Sequence, residues 1–249
     1  MILVLASSWD TSASALVSGW GARGARLITP VDLARPGWRW DPAAPLAGDL
    51  AVGSDVLPVR SVAAVVSFLS VIQPSELQHI APDDREYVAA EVSAFLVGWL
   101  TSLGERVLNP PTPLCLNGPH LRDAQWRREA ALAGLPVATL RRTESCRVGD
   151  ASGDAPGAAC ATTAAVPPPG TVVEVAVVGG SCVAADAVPP VVRRGLEDLA
   201  ARTGAGLLSA RLLPGVDSDL WWFDGARAGV DPTADGVSAS LERSLGVAS

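Results

Sequence analysis

The chain opens on an unbroken apolar run, Met1-Ile2-Leu3-Val4-Leu5, which stops at Ala6-Ser7-Ser8. A strand with no polar alternation has no solvent face, so it must be covered on both sides, as strands of a parallel sheet are. The period then changes. Ala13, Leu16, Val17 and Trp20 recur at helical spacing behind Asp10 and Thr11, either of which suits an N-cap. Gly21 and Gly24 end that helix, and Arg26-Leu27-Ile28-Thr29 reads as a second strand. Strand, helix and strand within about 30 residues make a βαβ unit, the start of an α/β domain that binds ligands at the carboxyl ends of its strands. The unit lacks Gly-x-Gly-x-x-Gly, which argues against a dinucleotide site.

Beyond it the pattern predicts turns and short strands over 36–58, a buried segment over 59–71 and a long helix over 82–104. A strand end at Val107-Leu108-Asn109, a helix over 121–132 closed by Gly134 and a strand over 136–140 follow. Residues 141–170 are rich in Gly, Ala, Ser, Thr and Pro without periodicity, and read as a mobile connection. A hairpin turning at Gly179-Gly180, a helix over 191–203, strands over 207–212 and 220–223 and a helix over 235–245 complete the order.

Of the 249 residues, 49% are hydrophobic and 18% charged, which excludes a disordered chain. The net charge is −7, and no arginine-rich run offsets it, so nucleic acid is not an expected partner. All 19 basic residues are arginine. A chain without lysine has no Schiff-base residue and no phosphate-loop lysine. Cys115, Cys146, Cys160 and Cys182 include no Cys-x-x-Cys pair, and His79 and His120 add too few ligands for a metal site. The N-terminus has no basic region ahead of its five apolar residues, which predicts no export signal, no membrane anchor and a cytoplasmic location.

Residues 107–139 carry a resemblance. Val107-Leu108-Asn109-Pro110-Pro111, followed by a helix in which Gln125, Ala130, Gly134, Leu135, Val137 and Thr139 keep their spacing, resembles the hinge region of ATP-grasp ligases. The stretch DDREYVAAEVSAFLVGWLTSL resembles the preceding helix in ATP-grasp maturases that modify ribosomally made peptides, and 2–33 resemble their first βαβ unit. VEVAVVGGSCVAADAV resembles the family's hairpin, and LEDLAARTGAGLLSARLL the helix and strand that lead to its metal-binding end. The resemblance runs in order along most of the chain. It implies an α/β, ATP-grasp-like fold with an N-terminal βαβ (pre-ATP-grasp) lobe over 1–112 and a reduced α+β lobe over 113–249.

The departures from the family are chemical. Its two ATP-binding lysines have no counterpart, and the central lid lobe, due between 139 and 172, is largely missing. The resemblance places Arg122 and Gln125 at the nucleotide-binding hinge, where a planar guanidinium replaces an ammonium. It places Asp224 at a magnesium-ligand position, with Asp217 or Asp219 for an earlier carboxylate, but Ala226 stands where an asparagine is due. Turn carboxylates explain the same acidic residues, since Asp-Gly and Asp-Pro form turns. Trp221 and Trp222, adjacent on a strand, must face opposite sides, which leaves one for a peptide or partner surface.

The resulting expectation is a degenerate ATP-grasp-like protein without cofactor. It would be a non-catalytic partner or peptide-recognition subunit in modification of a ribosomal peptide or natural product, either as a homodimer or with a modification enzyme or precursor peptide. The alternatives are an active ATP-dependent carboxylate–amine ligase using ATP and magnesium, and a small-molecule-binding sensor. The composition of 141–170 also makes a prediction: limited trypsin digestion should cut first near Arg142 or Arg147, and cutting elsewhere with this stretch protected would show a packed lobe.

Overall fold

The computed structural model describes residues 1–137, 171–183, 185–215 and 220–246. The lid, the mobile connection, the strand end at 138–140, Cys146, Cys160, Asp217 and Asp219 therefore lie outside the described residues. The first half of the chain runs β1 (Ile2–Leu5), α1 (Thr11–Gly19), β2 (Ala25–Ile28), α2 (Pro30–Leu33), β3 (Asp49–Val52), β4 (Asp55–Pro58), β5 (Ala64–Ser67), α3 (Arg85–Ser102) and β6 (Val107–Leu108). The second half runs α4 (Asp123–Leu132), β7 (Val173–Val178), β8 (Ser181–Val183), α5 (Pro190–Thr203), β9 (Leu207–Pro214), β10 (Trp221–Ala228) and α6 (Val237–Ser244).

Two four-stranded sheets organise these elements. The first is parallel, in the order β2-β1-β5-β6; the second is antiparallel, in the order β10-β9-β7-β8. The apolar run of β1 is central and covered on both sides. Leu3 and Leu5 enter a core with Ala89, Leu96, Trp99 and Leu100 of α3. Ile2, Val4 and Ala6 enter another, with Ala13, Leu16 and Trp20 from the α1 segment and Val178, Leu207, Val237 and Leu241 from the second half. A third core lies between the antiparallel sheet and α4 and α5, around Leu196, Leu199, Leu208, Leu212 and Phe223.

Asp10 caps α1, its Oδ1 accepting from the Ala13 N–H at 2.9 Å. Over 36–58 the strands prove to be one hairpin, β3–β4. Asp32, in the short helix that the sequence did not predict, ties that hairpin down by accepting from the Gly53 N–H at 3.0 Å. The 82–104 helix is shorter than its apolar pattern, because Pro82–Asp84 and Gly104–Arg106 form 3-10 turns at its ends. Strand β10 is longer than expected. Asp224-Gly225 reads as a turn but forms a bulge, with Phe223 opposite Leu212, Gly225 opposite Arg211 and Asp224 left over.

Asn109 joins the two sheets. It has no solvent exposure and a φ of 64°, a left-handed conformation that asparagine tolerates. Its Oδ1 accepts from the Leu207 N–H at 2.6 Å, and its Nδ2 donates to the carbonyls of Leu207 at 3.0 Å and Asn117 at 2.7 Å. Close approach is possible because a Cβ at Gly118 would lie 3.0 Å from the Asn109 amide, and one at Gly206 would lie 2.7 Å from Leu108. At the other end of the shared core, the Trp20 indole donates to Ser238 Oγ at 3.2 Å and Arg23 pairs with Glu242 at 3.2 Å, docking α6 onto the N-terminal unit.

Asn109→Ala strands the buried Leu207 N–H and the half-buried Asn117 carbonyl, while the Leu207 carbonyl keeps the Gly229 N–H at 2.9 Å, and should cost about 1–3 kcal/mol. Asn109→Gly relieves only the part due to φ, so in urea unfolding it should stay well below the natural chain. A shift of the Ala variant within error would show that the junction does not depend on these bonds.

Candidate functional site

The parallel sheet reverses its winding between β1 and β5, so their carboxyl ends leave a crevice. A cavity of about 270 Å³ occupies it, lined by Asp10, Ser12, Phe68, Asn117, Arg227 and residues 228–232. The loop after β1 is fixed from below by Glu76, a carboxylate only 4% exposed. Its Oε2 accepts from Ser7 Oγ at 2.9 Å and from the Ser8 N–H at 3.1 Å. Trp9, next in that loop, is 61% exposed.

Arg227 also lines a second cavity, of about 290 Å³, with Asp123, Glu174, Ser209, Arg211 and Ala226. Strand alternation creates it. Leu208, Ala210 and Leu212 of β9 face the core under α4 and α5, so Ser209 and Arg211 face the other way. Arg227 lines both cavities, so the crevice at the parallel sheet's switch point adjoins the open face of the antiparallel sheet.

Its charges are paired. Glu174 accepts from Ser209 Oγ, and from Arg227 Nη2 at 3.0 Å. Asp224, displaced by the bulge, lies between Arg211 at 3.1 Å and Arg127 at 3.5 Å. Arg127 comes from α4 and keeps a buried Nε with no partner among the described residues. The hydrogen bond from Ser209, then that from Arg227, holds Glu174 below the usual carboxylate range against its partial burial. The Thr233 hydroxyl, then its amide, does the same for Asp231. Burial, reinforced by Glu197, pushes the Cys182 thiol up to about 12, so it is a poor nucleophile.

The expected site residues distribute as follows. Arg122 and Gln125 are exposed at the start of α4, where Gln125 Oε1 accepts from the Arg122 N–H at 2.8 Å. Asp224 lies within the two-arginine pair. Trp221 packs on the core under α4 and α5, while Trp222, opposite Leu213, faces the other side, and both are half-buried. His79 and His120 are exposed. Among the described residues, no three His, Cys, Asp or Glu side chains converge as a metal set. Sequence reasoning missed Arg127, Glu174, Ser209, Arg211 and Arg227. The alternation of Leu208, Ala210 and Leu212 against Ser209 and Arg211 was the available signal.

No protein-family model matches the chain, and no curated protein is similar to it. Solved structures are. A macrocyclase, MdnC, bound with precursor peptide MdnA from Microcystis aeruginosa MRC matches with a TM-score of 0.67 at 12% identity, over 100% of this chain and 99% of its own. The ATP-grasp ligase PsnB, complexed with a phosphomimetic variant of a minimal precursor, Mg and ADP, matches with a TM-score of 0.67 at 15% identity, over 99% and 97%. A Chryseobacterium gregarium RiPP-associated ATP-grasp ligase, in complex with ADP and a leader and core peptide, matches with a TM-score of 0.62 at 10% identity, over 100% and 97%. The fold is therefore α/β and ATP-grasp-like, and it resembles that of peptide maturases.

The depressed Glu174 and Asp231 values carry a pH dependence. A carboxylate whose folded pKa lies below its unfolded value stabilises the fold above the unfolded pKa, and this is lost as pH falls through the folded value. Thermal stability should accordingly decline as pH drops below the ordinary glutamate value of 4.5, and Glu174→Gln should flatten the decline. An identical acid slope in the variant would remove Glu174 from the account.

Proposed function

We propose that the protein serves in modification of a ribosomally made peptide or related natural product, as a non-catalytic peptide-recognition or partner subunit in the cytoplasm. The observation that carries this reading is the pairing of Glu174 and Asp224 with arginines in a chain without lysine. Carboxylates engaged by guanidinium groups are poorly placed to hold magnesium on a nucleotide, and no lysine supplies charge to its phosphates. Support for a peptide role comes from the fold, shared with proteins solved in complex with precursor peptides. Among the described residues no helix is long and apolar enough to cross a membrane.

In this reading the chain divides into lobes at 112/113, and the crevice between its two sheets receives the peptide. Arg122 and Gln125 mark the former nucleotide hinge, and Asp217, Asp219 and Asp224 the former metal end. Trp222 and the exposed flank of α3, with Tyr87 at 69% exposure, supply surface for a second copy or a modification enzyme.

Sedimentation of the purified chain, alone and with a precursor peptide or modification enzyme encoded beside it, should show a homodimer or a complex. Mixed with peptide, magnesium and ATP, the chain alone should release no ADP. ADP release coupled to loss of water from the peptide would replace this reading with that of an active carboxylate–amine ligase. A monomer that ignores every peptide but is stabilised by a small metabolite would favour a sensor.

A further inference from the structure

Two arginines face one cavity from neighbouring strands. Arg227 stands opposite Ser209 and Arg211 opposite Gly225, so the two are diagonal neighbours on the open face of the antiparallel sheet. Both line the cavity of about 290 Å³, and its floor is kept low by Gly225 beneath Arg211. A Cβ at position 225 would come within 3.0 Å of Arg211 Nη2. The missing side chain leaves room for the guanidinium to lie across the strand.

Among the described residues, each guanidinium is anchored through one nitrogen only. Arg211 Nη2 meets Asp224 at 3.1 Å, and Arg227 Nη2 meets Glu174 at 3.0 Å. A guanidinium has five N–H donors, and neither arginine meets another acceptor among the described residues. Their side chains remain 55% and 65% exposed. We propose that Arg211 and Arg227 form an oxyanion clamp, for a carboxylate or phosphate group, that works without a divalent cation.

The carboxylates argue for independence from metal. A cation entering this cavity would compete with guanidinium groups for Glu174 and Asp224, whereas the arginines bring positive charge already positioned. Glu174 and Asp224 orient the donors, which lowers the cost of ordering two long side chains around a ligand. They also weaken the local field, as does Asp123 at the rim, so the affinity for a small anion is roughly millimolar. The clamp deepens the peptide-recognition reading and rests on it only for the ligand's origin, since it gives the crevice the chemistry to hold an acidic side chain.

Titration calorimetry in EDTA at low salt, with glutarate and inorganic pyrophosphate as separate probes, tests the clamp. At least one probe should bind. Arg211→Ala and Arg227→Ala should each weaken it about fivefold or more, and Arg227→Lys, which keeps charge but loses the planar fork, should weaken it too. Glu174→Gln, which removes the opposing charge but keeps an acceptor to orient Arg227, should tighten it. Circular dichroism confirms that each variant is folded. Stronger glutarate binding assigns a carboxylate ligand and stronger pyrophosphate binding a phosphate. No binding in EDTA, binding only with added magnesium, or binding unchanged by the arginine substitutions would overturn the clamp. Anion binding with no peptide complex in sedimentation would uphold the clamp and reject the peptide reading instead.

Discussion

The amide of Asn109 does the work of a strand partner where two sheets meet without sharing a strand. Its oxygen and nitrogen engage both backbone groups of Leu207, as a neighbouring peptide would. The position of β9 follows from this. With Leu207 directed into the core shared with β1, Leu208 must face α4 and α5, and Ser209 and Arg211 must face the crevice. A slip of one residue would bury Arg211 and expose Leu208. The hydrogen bonds at the junction therefore decide which chemistry the open face presents, although Asn109 itself lies outside the cavity over that face.

The second organising constraint is the use of arginine alone for positive charge. Around Asp224 the consequence is concrete. A bulge puts one carboxylate between Arg127 from a helix and Arg211 from a strand, so the charges are settled within the protein. Guanidinium suits this because it donates from several directions and stays charged, whereas an ammonium offers a single point. The crevice that results is polar and structured before any ligand arrives.

The elements that the sequence made legible were those whose pattern is local. The unbroken apolar run of β1, the spacing of Ala13, Leu16 and Trp20 behind Asp10, and the Gly179-Gly180 hairpin each contain their own instruction. The crevice does not. Arg127, Glu174, Arg211 and Arg227 are brought together by pairing over as many as 97 residues, and each alone looks like a solvated charge. Asp224-Gly225 misled for a related reason: the dipeptide favours a turn, but pairing with β9 on both sides absorbs it as a bulge. The family resemblance directed attention to the start of α4, where Arg122 and Gln125 meet each other in a helix cap.

The docking of α6 bears on the order in which the molecule is completed. Trp20 and Ser238 are separated by 218 positions, and Val237 and Leu241 close a core whose other wall is β1 and α1. During synthesis from the N-terminus, that wall is made first, and α6 can reach it only after residue 244 has emerged. Contacts of such sequence separation are slow to form because the intervening loop must be closed before they contribute. The βαβ unit that is simplest to read from the sequence thus depends, for the cover of one face, on residues as far as 218 positions along the chain.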